Sequence, residues 1–132
     1  ITSVEKARHI LDYTGADAIM IGRGAQGRPW IFREINHYLT HGNKMPAPSI
    51  NEISSILIEH INALHRFYGE FMGVRIARKH VSWYIQALAM SGESYASTFV
   101  GDQGKAFRAS FNSLASPSEQ LEMLKLCFER FS

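Results

Sequence analysis

The chain has 132 residues, 45% apolar and 20% charged, which suits one soluble domain or parts of two. A formal net charge of +2 is too small to argue for nucleic-acid binding, so any such reading must rest on local clusters of Arg and Lys. The single cysteine, Cys127, excludes an internal disulfide framework and a four-cysteine zinc site; no apolar run reaches the roughly 18 residues of a membrane span, and no stretch reads as a signal peptide.

The expected location is therefore the cytoplasm, where lone thiols stay reduced. Residue 1 is Ile rather than Met and the chain opens on a well-made helix, so a fragment or processed piece is expected. In that helix Thr2 and Glu5 have the spacing of a capping box. Val4, Ala7, Ile10 and Leu11 form an apolar stripe, and Gly15 suits a left-handed cap at the C-terminal end. "AIMI", residues 18–21, is a continuous apolar run, as in a strand buried on both faces. A glycine loop follows, then Pro29 at the first turn of a second helix that carries Ile31, Phe32, Ile35 and Leu39 and stops at Gly42.

"NKMPAPS" is the one credible linker. Beyond it no strand is expected. Ile50, Ile53, Leu57, Ile61, Leu64 and Tyr68 have helical spacing, ending near Gly69, and residues 74–90 form the next helix. "SGESYASTFVGDQG" reads as a loop, Phe107, Phe111 and Leu114 mark a third helix, and "SPSE" starts a fourth with Leu121, Leu124, Phe128 and Phe131 on one face. A single parallel-type strand cannot satisfy its own backbone, so the first 42 residues must belong to a larger α/β sheet or rearrange. The strand's two unpaired edges also allow pairing between chains, and the oligomeric state is not fixed.

The loop "IGRGAQGRPW" contains Gly22-x-Gly24-x-x-Gly27, the spelling of a dinucleotide-binding fingerprint. That fold demands a second parallel strand with an acid about 20 residues on, and neither is present. A Walker loop fails because no Gly-Lys-Ser/Thr follows. Two readings stay open. One is a phosphate-binding turn at the end of a (β/α)8 barrel, with Gly22 admitting an anion and Arg23 adding a charge-assisted contact. The other is a plain glycine turn with Arg23 and Arg28 solvated.

In "GVRIARKHVSWYIQAL", Arg75, Arg78, Lys79 and Ser82 fall within one narrow sector at helical pitch. Val74, Ala77, Val81, Tyr84, Ile85 and Leu88 occupy another and should face a core. With no acid in residues 74–90, the basic sector suits phosphate contact, and a solvated charged face is the competing reading. His80 and Trp83 lie outside both sectors and could reach a base or ribose. His37 and His41 have the i, i+4 spacing of metal ligands but no third ligand, so no metal site is expected. Cys127 reads as a small buried residue, and no Ser/His/Asp constellation can be argued.

"ITSVEKARHILDYTGADAIMIGRGAQGRPWIFREI" followed by "GVRIARKHVSWY" resembles the tRNA-dihydrouridine synthase family, bacterial B type, over nearly the whole chain, as the C-terminal portion of that family's longer sequence. The resemblance implies a mainly α fold: the end of a (β/α)8 barrel (one strand, two helices) followed by a bundle of about four helices. Residues 1–42 would close the FMN-binding barrel, 43–49 link, and 50–132 form a helical tRNA-binding domain. It implies an FMN phosphate contact at Gly22 and Arg23, and tRNA contacts at Arg75, Arg78, Lys79 and His80. The implied reaction reduces the C5–C6 bond of a D-loop uridine with a flavin hydride derived from NADPH, a cysteine protonating C5, after the base has been exposed. That cysteine, and the family's Lys and His beside the flavin, belong to upstream strands. No catalytic residue is therefore expected here, Cys127 does not replace the missing one, and these residues alone should be inactive. "AMSGESYASTFVGDQG" is longer than the family's usual loop. A helical protein-interaction module, or the cap of a different phosphate-binding barrel enzyme, remain the alternatives.

Overall fold

A computed structural model describes residues 3–15 and 21–129 of the chain. It divides into two compact units, Ile1–Ala47 and Pro48–Ser132. Among the described residues there are five α-helices and no strand. The strand expected over 18–21 falls on residues outside the described ones apart from Ile21, which is in no strand.

The first unit contains α1 (Val4–Thr14), a 3₁₀ turn (Arg23–Ala25) and α2 (Ile31–His41). The cap of α1 is Ser3, one residue later than the expected Thr2: its hydroxyl accepts the Lys6 N–H at 3.1 Å. Thr2, the expected capping partner of Glu5, lies outside the described residues, and the Glu5 carboxylate pairs with the Lys44 ammonium. That hydrogen bond holds the Glu5 carboxyl below its ordinary range and raises the Lys44 pKa. Gly15 closes α1 at φ 68 and Gly42 closes α2 at φ 74, both in the left-handed conformation. Pro29 lies ahead of α2 rather than in its first turn, in a turn closed by the Ile31 N–H on the Arg28 carbonyl. Val4, Ala7, Ile31 and Ile35 form the core of the unit, with Ile21, Tyr38 and Leu39 packed against it. Phe32, expected on the same stripe, is 47% exposed.

The second unit is built on α3 (Ile50–Ala89), capped by the Ser49 hydroxyl on the Glu52 N–H. This span is two helical arms, because Gly69 has φ 83 and ψ 177. That region is essentially closed to residues with a side chain, and it folds the helix back on itself where the sequence places a stop. The arms meet backbone to backbone: a Cβ on Gly73 would lie 2.9 Å from the Cα of His65. Ile53, Leu57 and Ile61 of the first arm are buried, as are all six core residues expected of the second, Val74, Ala77, Val81, Tyr84, Ile85 and Leu88. Leu64 is only partly buried and Tyr68 is exposed, so His65 takes the inward position on the first arm.

The segment read as a loop after α3 is ordered into a 3₁₀ turn (Ser94–Thr98), and α4 (Gly101–Asn112) begins inside its "GDQG". Phe99, 3% exposed, anchors it, with its ring centroid 6.1 Å from that of Phe128. Leu114 lies beyond the end of α4 rather than within it. The last helix, α5 (Pro117–Glu129), starts at proline, and the Ser116 hydroxyl accepts the Glu119 N–H at 3.3 Å. Leu124, Cys127 and Phe128 are buried on it; Phe131 lies outside the described residues. Both α4 and α5 pack against α3.

Candidate functional site

In the first unit, Gly22 precedes the 3₁₀ turn with φ −102 and ψ −98, and the Ala25 N–H closes the turn on its carbonyl at 3.1 Å. The space where a Gly22 Cβ would project is open, with no atom within 4 Å. Packing therefore does not explain the missing side chain. The N–H groups of Arg23 and Gly24 have no acceptor within the turn, as at any helix start. The two arginines of the loop differ in state. Arg28 donates to Glu34 Oε1 at 2.9 Å in a partly buried ion pair. Arg23 is exposed and pairs with no carboxylate among the described residues.

In the second unit, the basic sector lines a groove of about 650 Å³, formed by Arg75, Arg78, Lys79, Ser82 and their neighbours Met72, Ile76 and Trp83, with Asn112 from α4. Among the described residues none of the three cations pairs with a carboxylate, so their field is not neutralised locally. Each is held differently. The Arg75 guanidinium sits 5.7 Å from the centre of the Phe71 ring, within range of a cation–π attraction. Arg78 is half-buried and donates from Nη2 to the Leu114 carbonyl at 2.9 Å, which ties the groove to the chain just beyond α4. Its Nε–H is buried without a partner. Lys79 is exposed. Asn112 and the Leu114 carbonyl belong to a distant stretch of chain, and no spacing within residues 74–90 could have pointed to them.

His80 does not line this groove. Its ring stands edge-on to His60, 4.8 Å between centroids, and to Trp83 at 5.0 Å, and its Nδ1 is buried without a partner. His60 Nδ1 lies 3.0 Å from the Tyr84 hydroxyl. Burial lowers the pKa of both histidines from the usual 6.5, the neighbouring His60 lowers that of His80 further, and burial raises that of the Tyr84 hydroxyl. Both rings are thus neutral in the folded protein at pH 7, and the unfolded chain takes up protons first as pH falls. Stability from this cluster is complete above the unfolded value of 6.5 and is lost as pH falls toward the lowered folded values. The urea midpoint is expected to drop between about pH 7.5 and 5.5, and His60→Gln with His80→Gln to flatten that drop. An unchanged slope in the double variant would assign the pH dependence to other groups.

Of the remaining candidates, the His37 and His41 rings lie 4.6 Å apart with planes tilted by 48°, and His37 Nε2 is 3.0 Å from Asn43 Oδ1. Among the described residues no group of three or more His, Cys, Asp or Glu side chains could hold a metal ion, and no helix is long and apolar enough to cross a membrane. Cys127 is a buried thiol outside any disulfide.

A sequence model of the family described as dihydrouridine synthase matches residues 1–131. The chain is 51% identical over 129 residues to the tRNA-dihydrouridine synthase B of Vibrio cholerae serotype O1, covering 98% of this chain and 36% of that protein. It is 52% identical over 132 residues to the protein of that name from Serratia marcescens, covering all of this chain and 36% of that protein. It is 51% identical over 132 residues to that of Salmonella typhimurium, again covering all of this chain and 37% of the relative. The chain thus spans little more than a third of the length of the curated relatives it matches.

Proposed function

The chain belongs to the dihydrouridine synthase family, and on that premise we propose that it is the C-terminal portion of a tRNA-dihydrouridine synthase, supplying a phosphate clamp for FMN and the grip on tRNA. The observation that carries the reading is the groove of Arg75, Arg78, Lys79 and Ser82: three cations without carboxylate partners, converging on one face. An RNA backbone offers the matching row of anions. Arg78 is fixed in advance by the Leu114 carbonyl, so less of its freedom is lost when a phosphate binds.

The turn at Gly22 fits an FMN phosphate. The open space at its missing Cβ admits an anion, the Arg23 and Gly24 N–H groups have no backbone acceptor among the described residues, and Arg23 supplies a compensating charge. In the longer enzyme, bound FMN supplies the hydride that reduces the C5–C6 bond of a D-loop uridine, with NADPH as the source of electrons. The residues described here act on binding: Gly22 and Arg23 hold a phosphate, and the groove holds the RNA backbone while the target base is exposed. The protonating cysteine is assigned to the remainder of the longer protein, and the 132 residues alone are expected to have no uridine-reducing activity.

The test is tRNA binding by the 132-residue chain across a salt series. Arg75→Ala with Lys79→Ala removes two exposed cations without touching the Arg78–Leu114 bond. Binding at low salt is expected to weaken about tenfold or more, and the slope of log K against log salt to fall by about 2, close to one for each phosphate no longer neutralised. Unchanged affinity and slope would remove the groove from the RNA interface.

A further inference from the structure

The fold-back of α3 carries four large apolar side chains in the open: Phe67 (78% exposed), Tyr68 (46%), Phe71 (74%) and Met72 (46%). All lie within three residues of Gly69, at the tip where the two arms meet. Burying even one such ring releases apolar surface from water, so a tip of this composition is unfavourable unless something covers it.

The surroundings decide what. Phe71 already carries the Arg75 guanidinium over its ring, and Met72 and Arg75 both line the basic groove. The aromatic tip and the groove are therefore continuous. Charges from residue 66 to 79 are Arg66, Arg75, Arg78 and Lys79 against Glu70 alone, which favours a polyanion. An apolar groove elsewhere on this unit differs: Leu114, Met123 and Leu126 are accompanied by Glu119 and Glu122, which would repel phosphates. Flat π faces beside unneutralised cations are the elements of a single-stranded nucleic-acid site, where bases stack on rings and phosphates meet the charges. Phe67 stands edge-to-face with Tyr68, with centroids 4.9 Å apart and planes at 77°, and at 78% exposure most of its ring stays open.

We propose that the Phe67–Phe71 tip is a stacking platform for unpaired RNA bases, adjoining the phosphate-binding groove and selecting looped-out or single-stranded RNA over continuous duplex. This rests on the groove's being an RNA-backbone site, and it adds a selectivity that the groove alone lacks, since phosphates are common to both kinds of RNA.

The experiment compares the 132-residue chain with Phe67→Ala/Phe71→Ala and Phe67→Trp/Phe71→Trp variants. The probes are unmodified tRNA and a blunt RNA duplex of similar length, each over a salt series. The alanine variant is expected to bind tRNA roughly tenfold more weakly, the effect of losing one to two stacked bases, with an unchanged salt slope and unchanged duplex binding. The tryptophan variant should bind tRNA as tightly as the parent. Equal losses on tRNA and duplex, or no loss on tRNA, overturn the proposal. So does a change in sedimentation without a change in tRNA affinity, which makes the tip a protein contact instead. If the parent chain binds tRNA in a salt-dependent, Arg75- and Lys79-dependent way while the tip variants match it, only the platform fails. If the parent binds no RNA, the groove reading fails with it.

Discussion

Replacing Gly104 by alanine is expected to destabilise the second unit by about 3 kcal/mol, at the upper end of the cost of forcing an extra methyl group into a packed site. In most helices this exchange works the other way, since alanine is favoured over glycine by about 1 kcal/mol in a helix interior. Here the new Cβ would lie 2.1 Å from the Phe99 carbonyl oxygen and 3.0 Å from its carbon, and both belong to the backbone. No side chain can rotate aside. Either α4 moves away from the preceding turn or Phe99 leaves its buried place near Phe128. Both movements disturb the chain that presents Leu114 to Arg78, so if the groove holds RNA as proposed, tRNA affinity falls together with stability. Urea unfolding followed by circular dichroism gives the first quantity. A variant as stable as the parent would mean that the close approach of Gly104 to Phe99 does not exist in solution.

Gln120→Leu is expected to cost about 2–3 kcal/mol although leucine fills nearly the same space. Gln120 is fully buried on α5 and joins both arms of α3. Its Nε2 donates to the Val74 carbonyl at 3.1 Å, which leaves its Oε1, 2.6 Å from His65 Nε2, as an acceptor. His65 therefore carries its proton on Nε2, and its Nδ1 is a buried acceptor without a partner. Leucine would strand that N–H as well, and an unsatisfied buried donor costs roughly 1–3 kcal/mol by itself. Gln120→Glu offers a second readout. With the carboxyl protonated it keeps an acceptor for His65 and an O–H donor for the Val74 carbonyl, and should fall between the parent and leucine. Ionised, it loses that donor and should be less stable. Stability of Gln120→Leu equal to the parent would show that the amide contributes shape and not bonding.

These features divide according to how local their causes are. The inward residues of the second arm of α3, from Val74 to Leu88, were legible because period alone separates them from Arg75, Arg78 and Lys79. Gly69 was legible as a stop. The helix over 74–90 was legible too, but spacing could not show that it starts directly after Gly69 and packs back on the first arm, since that depends on a backbone angle and on the contact of Gly73 with His65. His65 and Gln120 were missed because polar residues are expected outside. Their signal was positional: each lies four residues from a buried member of an apolar stripe, Ile61 and Leu124. "GDQG" reads as a turn and is the start of α4, where Phe99 and the shape of the site overrule propensity. In the glycine loop, Gly22 and Arg23 could be picked out, but that Arg28 is taken by Glu34 and Arg23 is not required coordinates. His80 looked available from its sector, whereas the second arm turns it toward His60.

The fold-back at Gly69 has a consequence for how this region can change. Its cross-arm contacts join residues on opposite sides of the bend: His65 with Gly73, and His60 with His80 and Tyr84. Adding or removing one residue between them would rotate everything beyond by about 100°. Arg75, Arg78 and Lys79 would then swing off the groove together, and the Leu114 carbonyl would face a different side chain. Side chains at the tip can be exchanged freely as far as the fold is concerned, but the number of residues that make the bend cannot. Apart from Gly69 and Gly73, which the backbone requires, length rather than composition is the quantity that this part of the chain must keep constant.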